Sequence, residues 1–184
     1  SAYFISPWEN AAGISVDGSG DFVTCMMTYC QGDNVRIKKR IFVPHSLGVF
    51  YTAICQFIGY ENYGDEGKVM GLASLGKNTY ADLMKKLVQS EDNNFKINLD
   101  YLTAFGTNQG VIINDNGSVS LQPQYSKKMV MELGTPRQRG GEITQRDMDL
   151  ACSLQQRFEE IYLRLIGSLA DLVPEKQVVI SGGC

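Results

Sequence analysis

Alternating apolar and polar positions over the first 43 residues predict three β-strands. Ala12, Ile14 and Val16 recur at every second position, which is the period of a strand with one buried face. Residues 22–30 and 35–43 continue the series with aromatic and β-branched residues, and glycine turns separate the segments. We therefore predict a three-stranded antiparallel meander.

The third segment has a less regular pattern than the first two. If the alternation is unbroken, one face of this strand is apolar except for Lys39, and its apolar residues are Val35, Ile37, Ile41 and Val43. Arg36, Lys38 and Arg40 lie on the other face, and together with Lys39 this basic row predicts a solvated edge strand that discourages aggregation.

The clearest helical signal begins at Ser46, a suitable N-cap, and ends at Gly59, a suitable helix stop. Apolar residues between them recur at three- and four-residue steps. A polar loop is predicted at residues 60–67, before the apolar phrase K-V-M-G-L-A at 68–73. We expect Asp65 in this loop to lie in solvent.

Helices and short strands are mixed in the rest of the chain. The predicted elements are a helix over 79–90, a strand over 95–99, a hairpin over 111–121, a helix over 125–133, a long helix from Thr144 and a strand over 177–181. The last strand has almost no alternation, which predicts burial on both faces in a parallel or mixed sheet. The fold class is therefore α/β with a mixed sheet.

Composition excludes several classes of protein. The 184 residues are 43% hydrophobic and 20% charged, which fits one globular domain or slightly more. The net charge of −3 argues against a general nucleic-acid or anionic-membrane binder. The sequence contains no run of about eighteen apolar residues, so no membrane-spanning helix is predicted. The five cysteines are odd in number and lack C-x-x-C spacing, which predicts reduced, mostly buried thiols in a cytoplasmic protein.

Two glycine turns are candidates for chemistry. The first, D-G-S-G-D at residues 17–21, is expected to need positive φ at its glycines. Its backbone N–H groups could approach an anion and an aspartate could hold a hard cation, although an ordinary hairpin turn is the alternative. The second, S-G-G at residues 181–183, follows the last predicted strand, and a strand entering a glycine turn commonly contacts nucleotides.

The order of these elements matches a known layout. An early meander with an acidic glycine hairpin, then helices, then a strand entering a Gly-Gly turn is the order of the actin–hexokinase type of ATP-binding fold. The chain begins without an initiator Met and ends directly after a strand, so we expect this fold to be incomplete at both ends.

Three paired phrases carry a family resemblance: S-A-Y-F-I-S-P at 1–7 with D-G-S-G-D at 17–21, P-H-S-L-G-V-F-Y at 44–51 with G-K-V-M-G-L-A at 67–73, and D-L-A through Gln155 at 149–155 with S-G-G at 181–183. The chain resembles the O-carbamoyltransferase family that includes the nodulation, cephamycin and tobramycin carbamoyltransferases. The middle phrase is the most specific, and residues 77–124 carry little resemblance.

The resemblance implies an activity and a domain organisation. Proteins of this family activate carbamoyl phosphate with ATP to carbamoyl-adenylate and transfer the carbamoyl group to a hydroxyl of a small-molecule or saccharide acceptor. The transfer domain is similar to the tRNA threonylcarbamoyl-transfer protein, and a separate YrdC-like domain of the same polypeptide makes the adenylate. The chain would be the central part of one transfer domain, with the meander in 1–43, helices and a hairpin in 44–143, and the long helix and last strand in 144–184.

The resemblance also implies site residues. The family holds an iron-type divalent metal with two histidines and two aspartates; of these only Asp17 is matched here, because the H-x-x-x-H motif would lie just before residue 1 and the later aspartate beyond Cys184. The residues implied to bind nucleotide or carbamoyl phosphate are Gly18, Ser19, Gly20, Glu66, Lys68, Gly182 and Gly183. No general base is identified, and the only histidine, His45, is interpreted as structural.

Two other classes of function compete with this interpretation. A sugar kinase or related ATPase of the same fold would use the hairpin for phosphoryl transfer to a hydroxyl. A non-catalytic assembly module would use the long helix from Thr144 as a partner surface. The sequence identifies neither the acceptor nor the oligomeric state.

Overall fold

The computed structural model describes residues 2–62, 64–103, 111–113, 115–117 and 119–184. Its strands are β1 (Asn10–Gly20), β2 (Val23–Gln31), β3 (Asn34–Phe42), β4 (Val88–Glu91), β5 (Asn94–Ile97), β6 (Val111–Ile113), β7 (Val119–Leu121) and β8 (Val178–Ser181). Its helices are α1 (Leu47–Phe57), α2 (Glu66–Ala73), α3 (Ala81–Leu87), α4 (Lys127–Leu133) and α5 (Gln145–Leu172), and a 3₁₀ turn, Tyr3–Ile5, precedes β1. The chain forms two compact units: unit 1 is Ser1–Gly48, Ser90–Lys96 and Glu160–Cys184, and unit 2 is Val49–Gln89 and Ile97–Glu159.

Unit 1 contains a four-stranded mixed sheet in the order β3-β2-β1-β8. The first three strands form the predicted antiparallel meander, in which Ile14 pairs with Met27. Strand β8 runs parallel to β1, with Ser181 opposite Ser15. The α/β class and the mixed sheet are thereby confirmed.

The prediction that the last strand is buried on both faces is wrong. Val178 and Val179 are half-buried, and Ile180 is 54% exposed. The physical reason is position, because β8 has β1 on one side and no second neighbouring strand among the described residues. Apolar composition without alternation therefore identified a strand but not its burial.

The predicted single apolar face of β3 is also wrong, because a β-bulge interrupts the strand. Thr28 pairs with Ile37, but the next residue of β2, Met27, pairs with Lys39, so Lys38 is left over. An extra residue reverses the alternation beyond it. Ile41 therefore shares a face with buried Cys25, whereas Ile37 shares a face with Thr28 and remains 45% exposed.

The core of unit 1 is built on the sheet face of Ile14, Val16, Cys25 and Met27, all of which are almost completely inaccessible. The second half of α5 supplies further buried residues at helical spacing: Ile161, Leu165 and Leu169. The expectation of reduced, mostly buried thiols is met: Cys25, Cys30, Cys55 and Cys152 are buried free cysteines, whereas Cys184 is exposed. Burial raises the pKa of the Cys25 thiol to about 12, so it is unreactive at neutral pH.

Unit 2 is organised around α1, whose predicted stripe is buried: Phe50, Ile54 and Phe57 have no accessible surface. Gly59 ends the helix at φ +78, as its position predicted. Arg137, in the loop over residues 134–142, donates from Nε to the Ile58 carbonyl at 2.6 Å. Its guanidinium therefore satisfies a carbonyl at the end of α1 and fixes the 134–142 loop there.

Several predicted boundaries shift in the structure. The predicted helix over 79–90 is the shorter α3, because Val88 turns to extended backbone and starts the β4–β5 hairpin. The predicted long helix is α5, and one half of its capping box is present: the Thr144 N–H donates to the Asp147 carboxylate at 2.9 Å. The Thr144 hydroxyl also donates to this carboxylate, at 2.8 Å, while the Asp147 N–H donates to the Thr144 carbonyl. Within the described part of the chain, no helix combines the length and the apolar character needed to cross a membrane.

Candidate functional site

The first glycine turn is a wide bulge near the end of β1. Val16 pairs with Cys25 and Gly20 pairs with Val23, so three residues of β1 oppose Thr24 alone. Positive φ was expected at Gly18 and Gly20, and this expectation is wrong. The left-handed positions are Asp21 (φ 49) and Phe22 (φ 67), which form the two-residue hairpin turn, while the glycines remain in the strand.

Ser46 supports this bulge. Its buried hydroxyl donates to the Gly18 carbonyl at 2.6 Å and lies 3.2 Å from the Asp17 carbonyl. The Gly18 N–H donates to the Asp17 carboxylate at 2.8 Å. The two carbonyls are thus tied to the protein, while the side chains of Asp17 and Ser19 remain exposed to solvent. This arrangement leaves the acidic side of the bulge available for a ligand.

Gly48, in the first turn of α1, lies directly against the bulge. A Cβ at this position would come within 2.7 Å of the Gly18 Cα and 2.8 Å of the Gly18 nitrogen. Neither atom can move by a side-chain rotation, because both belong to the backbone. Only glycine therefore allows α1 to begin this close to the bulge.

The second glycine turn meets the first. Gly182 has φ +108, and a Cβ there would lie 2.0 Å from the Val16 carbonyl oxygen. A Cβ on Gly183 would lie 3.2 Å from Oδ1 of Asp17. The Cys184 N–H also donates to the Val16 carbonyl at 3.2 Å. The two glycine turns that the sequence singled out are therefore in contact within unit 1.

The charged residues Asp65, Glu66 and Lys68 of unit 2 lie in a different local structure from the one predicted. Residues 66 and 67 were assigned to a loop, but α2 already begins at Glu66. Asp65 was expected in solvent, yet it is only 6% exposed. Its carboxylate accepts hydrogen bonds from the backbone and side-chain N–H groups of Asn62 at 3.2 and 3.1 Å, and it forms an ion pair with Lys68 at 2.6 Å. These partners explain the burial, because a buried carboxylate needs compensating donors.

The same contacts set the charge state of Asp65. Burial alone would raise the pKa of this carboxyl, but the hydrogen bonds from Lys68 and Asn62 outweigh burial and lower its pKa below the ordinary value. Asp65 is therefore ionised at neutral pH. The Lys68 side chain remains 65% exposed, so one of its three donors is directed to Asp65 while the ammonium group still faces solvent.

Glu66 is also anchored, although less deeply. The Thr52 hydroxyl donates to Glu66 Oε1 at 3.0 Å, which ties the first turn of α2 to α1. Glu66 is half-buried. Glu66 and Lys68, the two residues of this segment implied to bind a ligand, are thus held in defined positions rather than on a solvated turn.

The described residues do not form a complete metal site. No group of three or more histidine, cysteine, aspartate or glutamate side chains lies close enough to hold an ion in the described ranges. Asp17 is a single exposed carboxylate. His45 is half-buried, and burial together with Lys96 lowers its pKa, so it is neutral at pH 7. An iron ion held within this chain alone is therefore not supported by these side chains.

Sequence reasoning missed three contributors to these arrangements. Ser46 was interpreted only as an N-cap, Gly48 only as part of an apolar helix, and Asp65 as a solvated charge. The available signal for Gly48 was an isolated glycine inside a helical pattern, which often marks close packing. Nothing in the local sequence distinguishes a buried Asp65 from an exposed one.

Comparison with known proteins identifies the family. A sequence profile of the family described as Carbamoyltransferase N-terminus matches residues 1–184. Over its whole length the chain is 31% identical to an uncharacterized protein of Synechocystis, of which it covers 28%. It is 26% identical to the nodulation protein NolNO of Sinorhizobium fredii and to the nodulation protein NolO of Bradyrhizobium diazoefficiens, of which it covers 24% and 29%. The chain thus spans about a quarter of the length of these relatives, and it belongs to the carbamoyltransferase family, whose N-terminal region it matches from end to end.

Proposed function

We propose that the full-length protein transfers a carbamoyl group from carbamoyl phosphate, by way of carbamoyl-adenylate, to a hydroxyl of a small-molecule or saccharide acceptor. The observation that carries the proposal is the contact between the two glycine turns, at Asp17 and Gly183. Close backbone approach at two glycine turns beside an exposed carboxylate suits a phosphate-bearing ligand and its counter-ion. The family match supports carbamoyl rather than phosphoryl transfer.

The reaction has two halves with different products. In activation, one water molecule cleaves carbamoyl phosphate to carbamate and phosphate. A carbamate oxygen then bonds to the α-phosphate of ATP as the bond to pyrophosphate breaks. Transfer then forms a bond between the acceptor oxygen and the carbamoyl carbon, breaks the bond from that carbon to AMP, and releases the hydroxyl proton. We assign the first half to a YrdC-like domain of the same polypeptide and the second half to the domain that contains this chain.

Unit 1 supplies the backbone contacts in this proposal. N–H groups of Ser19 and Gly20 approach the phosphate of the adenylate, while Gly18, whose own N–H is bonded to the Asp17 carboxylate, shapes the bulge. Gly182 and Gly183 pass beneath the adenosine. The strand order β3-β2-β1-β8, with β8 parallel to β1 and followed by the Gly-Gly turn, supports an actin–hexokinase type of nucleotide-binding fold. Because they lack Cβ atoms, Gly182 packs against the Val16 carbonyl and Gly183 against Asp17, which brings the two turns together.

Two charged residues at the start of α2, Glu66 and Lys68, are the charged groups in this proposal. The exposed Lys68 ammonium offers point-charge stabilisation to the nucleotide or to carbamoyl phosphate. Glu66 accepts a hydrogen bond from a ligand hydroxyl with the carboxylate oxygen that Thr52 does not occupy. Asp65 keeps the Lys68 side chain from sampling many rotamers, which lowers the entropy cost of binding.

A divalent metal, iron in the related family, is part of the proposal only as a shared site. Asp17 would contribute one carboxylate ligand, and the other ligands would come from parts of the polypeptide outside this chain. Such an ion would supply Lewis-acid chemistry when bound. The described residues on their own do not make that site, so no step of the reaction is derived through it.

The test is product analysis with the full-length protein, carbon-14-labelled carbamoyl phosphate, ATP and a panel of sugars and polyols. The expected products are an acid-stable carbamate ester, AMP and pyrophosphate. Formation of ADP and a phosphorylated acceptor would instead establish a kinase of the same fold and overturn the proposal.

Two variants separate catalysis from assembly. Asp17→Ala should abolish metal binding and ester formation, and Lys68→Ala should weaken nucleotide or carbamoyl-phosphate binding by about tenfold, the loss of one charge-assisted contact. Pyrophosphate release should persist in Asp17→Ala, because activation is assigned elsewhere. Unchanged ester formation in both variants would favour a non-catalytic assembly module.

A further inference from the structure

The 149–155 phrase of α5 has no role in the proposed function, yet its first residue makes several long-range contacts. Oδ1 of Asp149 accepts hydrogen bonds from the Lys77 backbone N–H and the Gln145 amide, both at 2.8 Å. Oδ2 lies 3.2 Å from the Thr79 hydroxyl, which donates to it. Two of these donors belong to the segment that follows α2.

The same helix face holds that segment at further points. A Cβ on Gly76 would lie 2.0 Å from the Met148 carbonyl oxygen, so the chain runs directly across α5. The Tyr80 N–H donates to Ser153 Oγ at 3.0 Å, and Ser153 in turn donates to the Asp149 carbonyl at 2.8 Å. Residues 76–80 are therefore fastened to one side of α5 within unit 2.

Helix α2 depends on this fastening. It has eight residues, Glu66–Ala73, and isolated helices shorter than about 12 residues are marginal in water. Only Val69, Leu72 and Ala73 of its residues are buried, so apolar packing holds one side of the helix and the ends need other support. Asp65 supplies that support at the start, and the clamped segment begins three residues after the end.

We propose that Asp149 is a positioning residue: it fixes the C-terminal end of α2 through Lys77 and Thr79, and thereby the placement of Lys68 at the other end. This inference rests on the proposed role of Lys68. The helix is about 12 Å long, at 1.5 Å per residue, so a tilt at one end displaces the other end by a similar amount. A misplacement of about 1 Å in a substrate-positioning group can cost on the order of a hundredfold in rate.

The carboxylate is suited to this role. Hydrogen bonds from Gln145 and Lys77 lower the pKa of Asp149, so it is ionised at neutral pH and accepts from all three donors. An asparagine would keep one oxygen for Lys77 and Gln145, and its amide could donate to the Thr79 hydroxyl instead. Asp149→Asn is therefore the conservative variant, whereas Asp149→Ala removes every contact.

The experiment combines hydrogen exchange with kinetics in the full-length protein. Exchange is followed by mass spectrometry on peptides that cover residues 66–75, in the wild type, Asp149→Ala, Asp149→Asn and the control Asp171→Ala, which removes an exposed carboxylate from the same helix. We expect Asp149→Ala to speed exchange in α2 at least tenfold without changing α4. We also expect its rate of ester formation to fall about tenfold to a hundredfold, while pyrophosphate release by the activating domain is unchanged. Asp149→Asn should stay within about threefold of the wild type in both.

Unchanged α2 exchange in Asp149→Ala would overturn the inference. A uniform rise in exchange across the protein with an unchanged rate of ester formation would also overturn it, because that pattern indicates general destabilisation. Absence of carbamoyl transfer by the wild type would refute the proposed function, and the exchange result would still decide whether Asp149 fixes α2.

Discussion

A single methyl group at Gly48 provides a sharp test of the bulge as a functional site. In Gly48→Ala the new Cβ would lie 2.7 Å from the Gly18 Cα, whereas ordinary contact begins at 3.4 Å. The bulge or α1 must therefore shift by about 0.7 Å. A shift of that size in a positioned binding element is expected to lower carbamoyl transfer by about tenfold to a hundredfold.

Gly48→Ala is also expected to lower stability, but not enough to unfold the protein. Overpacking costs about 1–3 kcal/mol, and alanine is favoured over glycine in helices by up to about 1 kcal/mol. The net loss should therefore be no more than about 3 kcal/mol, measured by urea unfolding, and the protein should stay folded under assay conditions.

Gly167→Ala is the matched control for this substitution. Gly167 also lies in a helix, and no atom would come within 4 Å of its new Cβ. The control should be stabilised by up to about 1 kcal/mol with unchanged transfer. Wild-type transfer by Gly48→Ala, in a protein shown to be folded, would refute the reasoning.

Three further predictions concern charge, backbone strain and the isolated chain. Because its pKa is lowered on folding, Asp65 contributes stability above its unfolded pKa of about 3.9, and this contribution is lost as the pH falls through the lower folded pKa. In urea titrations Asp65→Asn should be about 1–3 kcal/mol less stable than the wild type at pH 7, and its free energy of unfolding should fall less steeply between pH 5 and 3. Equal slopes in the wild type and the variant would contradict the lowered pKa of Asp65. Phe22 is 74% exposed at φ 67, so Phe22→Gly should gain up to about 1 kcal/mol from relief of backbone strain, and a lower unfolding midpoint would count against that strain. The 184-residue chain alone should neither bind iron tightly nor transfer carbamoyl groups from carbamoyl-adenylate, and product formation by it would overturn the shared-site proposal.

Local sequence patterns predicted the helices and strands of the chain better than the burial of their faces. The meander, the long α5 helix with its Thr144 capping box, and the α1 helix ending at Gly59 follow from periodicity and from terminal residues, which act over a few positions. The bulge in β3 did not follow, because one extra residue reverses a face without changing composition. The exposure of Ile180 depends on whether another strand lies beside β8, which no local pattern records.

The candidate site was predictable in its glycine turns and not in its supports. The phrases at 17–21 and 181–183 were each weak signals, and they gained weight from their order in the chain. Their contact at Asp17 and Gly183 is a tertiary fact produced by the parallel pairing of β8 with β1. Long-range supports such as Asp149 are separated from their partners by some 70 residues, so local sequence carries no trace of them.

The most direct test of carbamoyl transfer compares the full-length wild type with Asp17→Ala, using labelled carbamoyl phosphate, ATP and the acceptor panel. We expect the wild type to form an acid-stable labelled ester only when both ATP and carbamoyl phosphate are present. Asp17→Ala should continue to release pyrophosphate without forming the ester. Equal ester yields from the two proteins, or ADP as the nucleotide product, would contradict carbamoyl transfer at this site.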